Sequence, residues 1–121
     1  MNWYASCAYN DAQKRSFHAT GRKRLKALAT ALGLKATTYD VRSNRGGVAV
    51  SGEVTLHGEN LYVQICQPAT GADSGILVRT CKGRKDYTGG PNNFLPLSWL
   101  DQIDALAGYC RRILDREGGR S

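Results

Sequence analysis

Between residues 48 and 66 the side chains change character at almost every step. Val48, Val50, Gly52, Val54 and Leu56 share one parity, and Ala49, Ser51, Glu53 and Thr55 the other. A turn at His57 to Asn60 follows, and the alternation resumes with Leu61, Val63 and Ile65 opposed to Tyr62, Gln64 and Cys66. Apolar-in, polar-out alternation on two arms joined by a turn predicts an antiparallel hairpin with one covered face. The same period of two predicts a short strand over residues 3–9, where Trp3, Ala5, Cys7 and Tyr9 oppose Tyr4, Ser6 and Ala8. It also predicts a strand from Thr37 through Tyr39 and Val41 into a turn at Ser43 to Gly47, and another over Gly75 to Cys81 after a loop at Pro68 to Ser74.

Two segments follow the helical period instead. Asn10 or Asp11 is placed to cap the first, with Gln13 completing a capping box from Asn10. Phe17, Gly21, Leu25, Leu28, Ala29 and Leu32 then fall on one face, and Gly33 supplies a stop. Gly21 on that face implies either close packing on a sheet or a kink at Thr20-Gly21. Arg15, Arg22 and Lys26 line a neighbouring flank, with Lys23 beside them. The second helix is announced by Pro96, with Ser98 and Asp101 spaced as a capping pair. Trp99, Leu100, Ile103, Leu106, Ala107, Cys110, Ile113 and Leu114 make its broad apolar face. Asp101 and Asp104 near its start and Arg111, Arg112 and Arg116 near its end match the helix macrodipole.

The expected order is β-α-β-β-β-β-α. It gives one α+β domain over residues 1–116, a two-layer fold with a mostly antiparallel sheet and both helices on one face, and a frayed tail at 117–121. The other face would then be exposed and present Glu53, Thr55, Tyr62 and Gln64, a row that suits a homodimer contact as well as a ligand. A length of 121 residues suffices for a core without metal or disulfide staples.

Charge alters this picture of a plain scaffold. The net charge is +7 and it is unevenly spread. Residues 1–52 carry nine Lys and Arg against Asp11 and Asp40, whereas residues 53–78 carry three acids and no cation. Four cations return at Arg79, Lys82, Arg84 and Lys85, inside a Gly-rich stretch that runs to about Phe94 and includes Tyr87. A connection needs turn residues but not that density of charge. Gly83, Gly89 and Gly90 let backbone N–H groups approach an anion, the cations supply attraction, and Tyr87 can stack on a base. Such asymmetry favours a polyanionic partner, RNA or DNA, with Arg15, Arg22, Lys23 and Lys26 as supporting phosphate contacts.

The catalytic classes find little support. The stretch is not a P-loop, because no G-x-x-x-x-G-K-[ST] is present and no helix opens from its glycines. His18 lies on the apolar side of the first helix, and His57 falls in the expected hairpin turn. No acid pair has a catalytic spacing, and a nuclease built on Lys85, Asp86 and Tyr87 has no specific signature. Cysteines 7, 66, 81 and 110 form no C-x-x-C pair, which argues against zinc and leaves a Cys66–Cys81 contact across adjacent strands as one arrangement. No cofactor motif is evident. The start shows no cationic segment followed by an apolar run, and no stretch has the ~20 apolar residues of a membrane span, so a cytoplasmic protein is expected.

The runs GVAVSGEVTLH (Gly47 to His57) and RTCKGRKDYTGG (Arg79 to Gly90) resemble a family of small basic proteins of bacterial prophages and plasmids, over most of the chain. The resemblance brings no activity and no site residues with it. It implies a mobile-element accessory protein, a context in which proteins bind nucleic acid or inhibit host defence complexes, as anti-CRISPR inhibitors do. The expectation is a non-enzymatic binder of nucleic acid or of a nucleoprotein complex. A protein inhibitor of a defence complex and a small nuclease or hydrolase stand as the alternatives.

Overall fold

The computed structural model describes residues 11–44, 53–66, 75–81 and 92–115. Their order is helix α1 (Asp11–Ala31), a 3₁₀ turn (Ala36–Thr38), strands β1 (Tyr39–Asn44), β2 (Glu53–Gly58), β3 (Leu61–Ile65), β4 (Ile76–Thr80) and β5 (Asn93–Leu95), a 3₁₀ segment (Leu97–Asp101) and helix α2 (Ile103–Ile113). The expected strand at 3–9, the Asn10 capping box, residues 45–52, the loop at 68–74, Arg116 and the tail lie outside the described residues. The strands form one sheet in the order β1-β2-β3-β4-β5, with every neighbouring pair antiparallel. The fold is α+β.

One apolar core joins both helices to one side of the sheet. Phe17, Leu25, Leu28 and Ala29 of α1 and Leu106, Ala107, Cys110 and Ile113 of α2 are buried with Val54, Leu56, Val63, Ile65, Ile76 and Val78. Gly21 is there for close packing: a Cβ at that position would stand 2.8 Å from Ile65 Cδ1 and 3.4 Å from Val54 Cγ2. Gly33, at φ +76°, ends the first helical segment in the left-handed conformation that glycine adopts without strain. Among the described residues no helix is long and apolar enough to cross a membrane.

The structure corrects several sequence expectations. The Gly-rich stretch does not run to Phe94, because Asn93–Leu95 pairs with β4 as a fifth strand through Val78↔Asn93, Leu77↔Phe94 and Ile76↔Leu95. Ser98 is no helix cap. It sits inside the 3₁₀ segment, and the residue before α2 is Gln102, which makes no side-chain cap bond. The physical reason is the spacing of Leu97 and Leu100: three residues per turn put both on the buried side, where each is 0% exposed. His57 belongs to β2, which leaves only Glu59 and Asn60 between the strands. Cys66 and Cys81 lie at opposite ends of the β3–β4 ladder, where their amides bond Gly75 O and Asn60 O respectively. Six residues of extended strand separate those ends by about 20 Å, far beyond disulfide reach. Cys66, Cys81 and Cys110 are free thiols.

Candidate functional site

Of the cations singled out by sequence, Lys82, Arg84 and Lys85, together with Tyr87, lie outside the described residues. The other five divide between two sides of the molecule. Arg15, Arg22, Lys23 and Lys26 are exposed on α1. At about 100° per residue, Arg15, Arg22 and Lys26 fall within a sector of about 40°, and the row is about 16 Å long. Arg24, about half a turn round the helix from Arg15, points the other way and pairs with Asp101 at 3.7 Å. The row thus occupies the flank of α1 turned away from the 3₁₀ segment that leads into α2. Among the described residues none of its four cations faces a carboxylate, the ion pairs there being Arg24–Asp101 and Arg42–Asp40.

Arg79 is not a loop residue. It lies in β4, opposite Tyr62 of β3, on the sheet face away from the helices. Its guanidinium stands 4.5 Å from the centre of the Tyr62 ring. The structure therefore puts Arg79 and the α1 row on different sides of the sheet.

That helix-free face is not the open polar surface expected. Tyr62 and Thr55 are only 7% and 9% exposed, and Glu53 and Gln64 are half-buried. In the register, Asp40, His57, Tyr62 and Arg79 form one row across four strands. His57 is fully buried, and its ring packs edge-on to Tyr62 with centroids 5.1 Å apart. Arg42 Nη2 lies 2.9 Å from His57 Nδ1. A guanidinium has donors only, so Nδ1 is the acceptor and the ring is the neutral tautomer protonated at Nε2. Next to it Tyr62 Oη donates to Gln64 Oε1 at 2.9 Å, and Gln64 Nε2 donates to Glu53 Oε2 at 3.0 Å. The polar groups of this face are tied to one another. Sequence reasoning missed Arg42 and the role of His57; the parity of β1, which puts Asp40 and Arg42 opposite Tyr39 and Val41, was the available signal.

Among the described residues, the candidate catalytic groups are spread apart. His18 is buried in α1, packed edge-on against Phe17. His57 presents no lone pair to a substrate, because Nδ1 holds Arg42 and Nε2 carries the proton. Burial pushes the Cys110 thiol up to about 12 against the opposing pull of Arg111, so it is not a thiolate at neutral pH. The Cys66 thiol is raised as well, by burial and then by the nearby Glu53 charge. No group of three or more potential metal ligands occurs among the described residues. No protein-family model, curated protein or solved structure matches this chain.

Proposed function

We propose that the protein works by binding nucleic acid, with the exposed cations of α1 as phosphate contacts. The observation that carries this reading is the row Arg15, Arg22, Lys26 with Lys23, exposed and without a carboxylate partner among the described residues. Within the described residues the fold supplies these cations with no ion-pair partner. Like charges four residues apart, as at Arg22 and Lys26, destabilise a helix by about 0.2–0.5 kcal/mol. The last turn of α1, where cations would stabilise the macrodipole, contains none. A row about 16 Å long on a helix anchored by its opposite face matches about five phosphate steps of one duplex strand, at about 3.4 Å per step. Lys82, Arg84, Lys85 and Tyr87 are the further contacts that the sequence suggests.

Binding, not turnover, is favoured because the one fully buried histidine on the polar sheet face is held as a neutral structural ring. The test is a titration of labelled duplex and single-stranded oligonucleotides at several salt concentrations. The expected affinity falls with salt at a log–log slope of about −0.7 to −0.9 per neutralised phosphate. A protein that retains neither oligonucleotide at low salt is not a nucleic-acid binder.

A further inference from the structure

The exposed half of α1 carries more than its cations. From residue 15 on, the other side chains that α1 exposes are Ser16, Ala19, Ala27 and Thr30. All are small, and Asp11, at the first residue, is the only acid of the helix. A solvated helix face ordinarily interleaves acids with cations three or four residues apart. Here the cations stand among side chains too short to keep another body off the helix barrel. At about 100° per residue the exposed positions fill an arc of about 140°, from Arg22 round to Ala27, and about 22 Å of helix from Arg15 to Thr30. Ala19 lies near the middle of that arc. It is about 140° round the helix from Arg24, whose pair with Asp101 marks the α2 side. Phe17, Leu25 and Leu28 hold the opposite face in the core. The arc is therefore the outward corner of α1, turned from both the sheet and α2.

We infer that this arc of α1 seats in the major groove of double-stranded DNA, with Arg15, Arg22 and Lys26 on the phosphates of one wall and Ala19 toward the floor. If α1 gripped outer phosphates alone, the size of the residues between its cations would not matter. The B-form major groove is about 12 Å wide and admits a helix, whose diameter with side chains is about 10–12 Å. Short side chains across the exposed arc keep α1 at the lower end of that range. The major groove of an RNA duplex is too narrow for a helix, and a single strand has no groove. The inference rests on the nucleic-acid reading above and narrows it to one form of duplex.

Four probes test it: a DNA duplex, an RNA duplex of the same sequence, a DNA duplex with glucosylated 5-hydroxymethylcytosines, and heparin. The added sugars fill the major groove without changing the charge, because the C5 position of a pyrimidine projects there. The wild-type protein should bind the plain DNA duplex at least about tenfold more tightly than either of the other duplexes. Ala19→Tyr puts bulk at the exposed tip of the arc and leaves the charge alone. It should bind plain DNA at least about tenfold more weakly than wild type, yet leave a heparin column at the same salt. Equal affinity of the wild type for plain DNA and either other duplex overturns the groove while leaving the α1 phosphate contacts in place. Wild-type DNA affinity in Ala19→Tyr overturns it too, as does equal weakening on DNA and heparin, since a groove rejects bulk and a simple cation patch does not. Failure of the wild type to bind any duplex overturns both readings.

Discussion

The two helices carry cations in opposite ways. In α2 the charges serve the fold: Asp104 lies in the first turn and Arg111 and Arg112 in the last, as the macrodipole favours. Arg111 donates through Nη2 to Ala31 O, one of the carbonyls left over at the end of α1. Arg112 stands over the Tyr109 ring at 5.7 Å. In α1 the cations Arg15, Arg22, Lys23 and Lys26 make no such contacts among the described residues, and the terminus that needs positive charge borrows it from α2. Cations on the two helices therefore have two meanings, and what distinguishes them is whether the fold already answers the charge.

Each helical segment also depends on a glycine, and the two glycines differ in how firmly they are required. At Gly75 a Cβ would stand 2.3 Å from Leu97 Cγ and 2.8 Å from the backbone oxygen of Cys66. Neither can move aside without disturbing the ladder or the 3₁₀ segment. Gly75→Ala should cost about 2–4 kcal/mol, measured by urea denaturation, and a midpoint within error of wild type would show that Leu97 is loosely held. At Gly21 the closest atom is Cδ1 of Ile65, the far end of a flexible side chain. Gly21→Ala gains about 1 kcal/mol in helix propensity against modest overpacking, so its midpoint should stay within about 1 kcal/mol of wild type.

Smaller effects separate the charges themselves. Arg111→Ala should lower stability by about 0.5–1 kcal/mol, a loss of about 4 °C in Tm, with oligonucleotide affinity unchanged. A drop in affinity without a drop in Tm would place Arg111 in the binding surface instead. Smallest of all is Arg24→Ala. Its pair with Asp101 is about 40% exposed on both sides, and such pairs contribute about 0–1 kcal/mol. A Tm shift above a few degrees would show that the α1 to 3₁₀ contact depends on that pair.

The legibility of these features in the sequence follows from how local their causes are. The β2–β3 hairpin and the place of Gly21 on the apolar face of α1 could be read because alternation and helical spacing are properties of neighbouring residues, whereas the choice between close packing and a kink at Gly21 needed the sheet. Another local rule, the spacing of a helix cap, misled at Ser98, where a Ser-x-x-Asp spacing looked like a cap while Leu97 and Leu100 were setting a three-residue turn. Strand β5 has three residues, Asn93, Phe94 and Leu95, too few to show a period. The Arg42–His57 bond depends on the pairing of β1 with β2, 15 residues apart in the chain, and no local pattern encodes that register. The α1 row was visible as spacing and was expected to supply supporting phosphate contacts, but its lack of partners among the described residues was not visible. That required knowing which of the other cations the fold engages.

The most direct test removes the α1 charges and leaves the helix. The variant with Arg15, Arg22, Lys23 and Lys26 all changed to Ala should keep its Tm or raise it slightly, because like-charge repulsion is relieved and alanine favours helix. Its affinity for duplex at about 0.1 M salt should fall by about 10³-fold, with a log–log salt slope shallower by about 3 to 4, as four lost phosphate contacts require. Wild-type affinity and slope in a folded variant would contradict the account, and would mean that the cations of α1 are no more than a solvated face.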